Sequence, residues 1–190
     1  RYEVMPTAPI ADKVRAHVPL TVPLTVTAAP GKGLGATFDL ATSLADSGYR
    51  VVPHVAARMI SGRDELVDIV ARLKEHDISG IFVPAGDADP PAGAYHGAVD
   101  LLRDLDEIGN PFSHVGITGY PESHPSIDDD VTIQSMWDKR QHATHIISNM
   151  TFDAESISTW VERMRRRGMQ LPVVIGVPGP VERTKLLGMA

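Results

Sequence analysis

The stretch Arg50–Pro84, RVVPHVAARMISGRDELVDIVARLKEHDISGIFVP, decides the fold. Arg50–Ala56 is a short β-branched run of strand length. Asp64–Glu75 sets Leu66, Ile69, Val70 and Leu73 at helical spacing, and Gly80–Pro84 is a second apolar run of strand length. Strand, amphipathic helix and strand in succession make a βαβ unit. Its crossover helix brings the chain back to start the second strand parallel to the first.

The same alternation continues outward. Toward the N-terminus, Arg1–Met5 and Leu20–Thr27 read as strands, with Pro23 weakening the second as a fully paired central strand. The Gly-rich Pro30–Gly35 leads into a helix around Thr37–Asp46. Toward the C-terminus follow a helix at Tyr95–Glu107, a strand at His114–Tyr120, a helix at Ile127–Ala143 opened by acidic residues, and a strand at Thr144–Met150. A helix at Ala154–Arg167, a strand at Leu171–Val177 and a helix at Val181–Met189 complete the pattern. Seven units of about 25–35 residues fit either a (β/α)8 TIM-type barrel with the eighth unit not seen, or a doubly wound open sheet. The barrel is preferred because Glu3, Thr27, His54, Asp87, Tyr120 and Asn149 each lie within or just beyond the end of a different strand. A barrel gathers those ends on the face that carries its chemistry. The expected organisation is one barrel domain over residues 1–190, incomplete at its C-terminal end.

Composition narrows the partners. The 190 residues are 43% hydrophobic and 22% charged, as expected of an ordinary soluble globular domain. With 18 Lys and Arg against 24 Asp and Glu the net charge is −6, the wrong sign for a nucleic-acid or acidic-membrane binder. The absence of Cys excludes disulfides and thiolate chemistry. No basic-then-apolar leader opens the sequence and no apolar run approaches the ~18 residues of a membrane span, so the cytoplasm is the default expectation. A homo-oligomer is compatible with this composition, and the sequence leaves oligomeric state open.

The run Gly119-Tyr120-Pro121-Glu122-Ser123-His124-Pro125 resembles the GYPExHP signature of the methylenetetrahydrofolate reductase family. Other segments agree in order along most of the chain. Tyr2-Glu3-Val4-Met5-Pro6 is similar to the family's FEFFP, Val26-Thr27 to its VT and Pro53-His54 to its PH. Gly86-Asp87 with Pro90-Pro91 is similar to its RGDPP, Ser148-Asn149 through Phe152-Asp153 to its TQxFFD, and Leu171–Pro180 to its VPIIPGIMP. The family's Arg of RGD is Ala85 here, its Gln of TQ is Asn149, and its AGAD segment is His142-Ala143-Thr144-His145.

The resemblance implies a barrel that holds FAD non-covalently, takes a hydride from NAD(P)H and passes it to 5,10-methylenetetrahydrofolate, giving 5-methyltetrahydrofolate in one-carbon and methionine metabolism. Opening the imidazolidine ring of that substrate requires protonation of a departing nitrogen, and so a carboxylic acid of raised pKa near the pterin. Glu3 is the candidate; without the resemblance it reads as a strand carboxylate facing solvent or an arginine. Asp87 resembles the family's Asp between flavin and pterin, and by itself is a turn residue. Thr27, His54, Tyr120, His124 and Lys139 match cofactor-binding positions of the family. Read alone, His54 is equally a core histidine, Tyr120 a rim aromatic and Lys139 a helix-surface lysine. Asn149, one methylene shorter than Gln, matches the amide that pairs with the pterin edge. The departures keep open a flavin-free barrel, either a direct nicotinamide-to-folate reductase or a non-catalytic folate-binding paralogue.

Other signals carry less. Gly31–Gly35 lacks both the GxxxxGK[ST] order and the GxGxxG spacing. His142 and His145 lack a third ligand at a recognisable spacing, so no metal is expected. Asp128-Asp129-Asp130 reads as the acidic first turn of a helix, and Arg163–Arg167 as a basic last turn.

Overall fold

Strands and helices alternate as the apolar periods predict, but the strands are shorter than their sequence runs. The computed structural model describes residues 1–29, 31–180, 182 and 184, in two compact units, Arg1–Val115 and Gly116–Ala190. The helix expected at 181–189 falls on residues that, two apart, lie outside those described.

In the first unit, β1 (Tyr2–Val4), β2 (Leu24–Val26) and β3 (Val51–Pro53) form a parallel sheet in sequence order, with Glu3 opposite Thr25 and Val26 opposite Pro53. All three residues of β2 are buried, and Pro23 lies just outside it, where its missing N–H breaks no ladder bond. Pro53 has no N–H to give to β4 (Gly80–Val83), and the contact between these strands is accordingly an isolated bridge, His54↔Phe82. The strand expected at 50–56 therefore ends early.

Helix α1 (Ile10–His17) had no counterpart in the sequence reading. It buries one residue, Val14, and so lacks an apolar stripe. Polar contacts hold it instead. Tyr49 Oη donates to the carbonyls of Val14 and Val18 at 3.2 and 2.8 Å, and Arg15 donates to Ser43 and Ser47 on the far side of the turn. α2 (Gly33–Asp46) and α3 (Arg63–Glu75) cover the sheet through Phe38, Leu44, Leu66 and Leu73. α4 (Ala98–Glu107) starts where Asp100 accepts from the amides of His96 and Gly97, later than the Tyr95 start expected. β5 (His114–Gly119) begins in this unit, where the His114 amide donates to the Ser79 carbonyl.

In the second unit, β5 pairs in parallel with β6 (His145–Met150), and β6 with β7 (Val173–Gly176). The helix expected over 127–143 is α5 (Asp129–Lys139) followed by a 3₁₀ turn, Arg140–His142. Arg140 lies 4.8 Å over the Trp137 ring and donates to the Trp137 carbonyl at 2.6 Å, taking an acceptor at the end of the α-helical ladder. α6 (Ala154–Arg166) is capped by Asp153, which accepts from the amides of Glu155 and Ser156 and is held below the usual carboxylate range mainly by its bonds to Ser156. Trp160 and Met164 on its inner face are buried. At Gly119 a Cβ would fall 2.6 Å from Ile146 and 3.0 Å from Trp160, so glycine there lets α6 lie directly on the β5–β6 ladder.

Candidate active site

Within the first unit, the ends of β1, β2 and β3 bring together residues that are far apart in sequence. Glu3 sits opposite Thr25, and the Thr27 amide, one residue past β2, donates to the Val4 carbonyl at 3.0 Å. The Thr27 carbonyl accepts from buried Thr37 Oγ1 at 2.9 Å, so its backbone is fixed on both sides. The His54 amide donates to the Val26 carbonyl at 2.9 Å, and its ring stands edge-on to Phe82 with centroids 4.7 Å apart. These supports carry the imidazole Nε2 to 3.6 Å from Glu3 Oε2, across β2. The His54 side chain is 12% exposed and that of Glu3 60%. Arg1 is within Coulombic reach of Glu3, which partly offsets the lowering of its pKa by burial.

Three side-chain atoms of this cluster are buried without a hydrogen-bond partner: Thr25 Oγ1, Thr27 Oγ1 and His54 Nε2. Leaving a buried polar atom unpaired costs about 1–3 kcal/mol. Three such atoms lie on or just past β2 and β3, one of them 3.6 Å from the Glu3 carboxylate, and suit a polar ligand. Thr27 and His54, matched to flavin-binding positions by sequence, thus have the free valences such a ligand would fill.

Asp87 does not join this cluster through any bond. It is exposed on the loop after β4, and among the described residues no side chain or amide holds its carboxylate. Ala85, at the position of the family's Arg, is exposed too, and its carbonyl accepts from the Arg58 amide at 2.8 Å.

In the second unit, the GYPESHP turn follows β5. Tyr120 and His124 meet edge to face at 5.0 Å, and the Ser126 amide donates to His124 Nδ1 at 3.2 Å. Because Nδ1 accepts, the neutral ring carries its proton on Nε2, which is left as a donor. Glu122, which the sequence reading left without a role, accepts from the amides of Phe152 and Asp153 at 2.6 and 2.5 Å. The signature's carboxylate thereby ties the turn after β5 to the segment after β6. Its place within so specific a motif was the one available signal.

Lys139 is not a surface lysine. It is 3% exposed, and Nζ donates to Thr118 Oγ1 at 3.0 Å. Burial pushes its pKa down to about 8, with Asp138 opposing. Asn149 lies in a β-bulge, where the β6–β7 register shifts between Ile147 and Met150. Ser148 Oγ accepts from the Gly176 amide at 2.8 Å and donates to the Asn149 carbonyl at 2.7 Å. A Cβ at Gly176 would lie 3.0 Å from the carbonyls of Ser148 and Asn149, so glycine lets β7 close on the bulge. Asn149 Oδ1 is buried and unpartnered, a free acceptor suited to a ring N–H. A separate cleft of about 400 Å³ in this unit, between Pro121, Asp129 and the α6 residues Ser156, Trp160 and Arg163, is lined by none of the candidate catalytic, cofactor-binding or substrate-binding residues.

Among the described residues no three His, Asp or Glu side chains converge to hold a metal, and no helix is long and apolar enough to cross a membrane.

Comparison with known proteins adds the family. A family model described as methylenetetrahydrofolate reductase matches residues 8–187. Methylenetetrahydrofolate reductase 2 of Saccharomyces cerevisiae is 29% identical over 102 residues, which cover 50% of this chain and 17% of that protein. Among solved structures, an oxaloacetate acetylhydrolase superposes with a TM-score of 0.63 at 11% identity, covering 93% of this chain and 74% of the other. A putative lyase/mutase from Burkholderia cenocepacia J2315 also scores 0.63, at 18% identity over 95% of this chain and 69% of its own. At such identities the superpositions speak for the fold alone, and the fold class is α/β of the (β/α)8 barrel type, with seven strands among the described residues. With the family model matched over nearly the whole sequence, the chain belongs to the methylenetetrahydrofolate reductase family.

Proposed function

We propose that this chain carries out the reductive step of its family, converting 5,10-methylenetetrahydrofolate to 5-methyltetrahydrofolate at the expense of NAD(P)H. The observation that carries the reading is the Glu3–His54 pair at 3.6 Å, with Thr25 opposite Glu3 in the sheet and buried polar atoms of Thr25, Thr27 and His54 left without a hydrogen bond. A non-covalent FAD supplies, when bound, a two-electron relay between nicotinamide and folate. Thr27 and His54 of the first unit would hold it; in the second unit, taken by itself, Tyr120, His124 and Lys139 match cofactor-binding positions of the family by sequence. A phosphate beside Lys139 would favour the charged ammonium that burial now disfavours.

Glu3 serves as the general acid toward the departing folate nitrogen. The carboxyl is accessible enough to meet a substrate, and the imidazole behind it limits where it can turn. Asp87 of the first unit offers an acceptor to the N–H groups of the pterin; Asn149 of the second unit, taken by itself, keeps an unpartnered Oδ1. Ala85, in place of an arginine, favours weaker flavin binding, and a chain purified without flavin absorbance that still reduces folate would move the reading to direct nicotinamide-to-folate transfer. The cytoplasm, where reduced folates and NAD(P)H are at hand, is the compartment this reading implies.

The test is Glu3→Gln, followed by stopped flow in each half-reaction. Folate reduction is expected to fall by about 10²–10⁴-fold, the range of a lost general acid, with nicotinamide oxidation unchanged. Equal losses in the two half-reactions would make Glu3 a structural residue and remove the basis of the assignment.

A further inference from the structure

The carboxylate of Asp87 has no protein partner among the described residues, so its position depends on the backbone of its loop, which Arg58, outside that loop, holds at several points. Arg58 lies in the 3₁₀ turn Ala57–Met59 after β3. Its amide donates to the Ala85 carbonyl and its carbonyl accepts from the Ala92 amide, both at 2.8 Å. Its guanidinium donates from Nε to the Ala88 carbonyl at 2.8 Å and from Nη1 to the His96 carbonyl at 3.4 Å, and Nη2 lies 3.3 Å from Asp89 Oδ1. The contacts at Ala85 and Ala88 bracket Asp87. Gly86, at φ +85°, would place a Cβ 3.0 Å from that of Ala56, and a Cβ at Gly93 would meet the Ser61 carbonyl, so both halves of the loop lie against the segment that carries Arg58.

We propose that Arg58 is the positioning residue for Asp87: its guanidinium fixes the loop after β4 so that the Asp87 carboxylate is presented to the folate. The planar, five-donor guanidinium suits this task because it reaches carbonyls on both sides of the turn from one rigid fork, where an ammonium would satisfy one. Arg58 touches neither substrate nor cofactor in this scheme. Its effect passes through Asp87, and the proposal therefore rests on the reading that Asp87 meets the pterin.

The experiment compares Arg58→Met, Asp87→Asn and the double variant on the full chain, by hydrogen–deuterium exchange of the 85–96 segment and by both half-reactions. In Arg58→Met the segment is expected to exchange at least about tenfold faster, and folate reduction to fall by about 10- to 100-fold, as a reacting group displaced by about 1 Å loses. Nicotinamide oxidation is expected to stay within about twofold, and the double variant to be no slower than Asp87→Asn alone. Arg58→Lys, with one point charge for three acceptors, should fall between wild type and Arg58→Met, and it serves as the test if the methionine variant does not fold. Unchanged exchange, equal loss in both half-reactions, or a double variant slowed by the product of the single effects overturns the proposal. If Asp87→Asn reduces folate as wild type does while Arg58→Met still loosens the loop, the reading of Asp87 fails and Arg58 is a structural anchor only.

Discussion

Replacing Lys139 with methionine should stabilise the protein at neutral pH, although it removes a hydrogen bond. The ammonium is 3% exposed, its side-chain bond is to the Thr118 hydroxyl, and burial pushes its pKa from 10.5 down to about 8. At ~1.4 kcal/mol per pH unit, that displacement means the folded state holds the charge at a cost of about 3 kcal/mol. Methionine has nearly the same length and no charge, so this cost disappears. The Thr118 hydroxyl loses a partner, which returns about 1 kcal/mol, leaving a net gain of about 2 kcal/mol at pH 7. Below about pH 8 both folded and unfolded chains carry the proton, and the gain is constant. Between about 8 and 10.5 the unfolded chain keeps a proton that the folded chain has lost, so the stability of the wild-type protein rises with pH and the advantage of the variant shrinks. By pH 10.5 the variant should be the less stable of the two, by the lost hydrogen bond. Urea unfolding of both proteins at pH 7 and pH 10, followed by circular dichroism, reads the difference, in which the other titrating groups cancel. A variant destabilised at pH 7, or a gap that is the same at both pH values, would refute the argument.

Two further substitutions test the framework beneath the site. Gly119→Ala should destabilise by about 1–3 kcal/mol, because its Cβ must displace Ile146 or Trp160, and the fluorescence of Trp160 should shift with the loss in denaturant midpoint. Glu122→Gln keeps an oxygen that can accept from Phe152 and Asp153 and should cost under about 1 kcal/mol, whereas Glu122→Ala strands both amides, should cost about 2 kcal/mol and should speed their hydrogen exchange.

The elements that were legible in the sequence are those whose signal is local and apolar. Leu66, Ile69 and Leu73 are buried along α3, and the β-branched runs at Val51 and Ile81 are strands. α1 escaped because it is held by Tyr49 and Arg15 bonding across more than 25 positions, which leaves no period in its own sequence. The strands shortened where a backbone group was unavailable, as at Pro53, and the helix expected to run to residue 143 tightened where Arg140 took the Trp137 carbonyl. Each of these outcomes turns on a specific polar contact, which residue-type patterning does not encode.

The motif residues themselves divide along the same line. Gly119, Glu122 and Asp153 are consumed by the fold: one admits Trp160, one holds the amides after β6, one caps α6. Thr27, His54 and Asn149 keep a buried polar atom with no hydrogen-bond partner, although a backbone group of each is hydrogen-bonded. A motif match weights both groups equally, since it records only that a residue type recurs. Hydrogen-bond satisfaction separates them, because a polar atom already paired inside the protein has nothing left to give a ligand, and one left unpaired pays about 1–3 kcal/mol until something fills it. Lys139 stands between the groups, with one bond to Thr118 and a charge that burial disfavours, so it can both brace β5 and favour an anion. The candidates for ligand recognition are then the ones whose valences the fold declines to use. That separation depends on partners some 30 positions away, as Glu122 is from Phe152, and becomes visible only once the chain is folded.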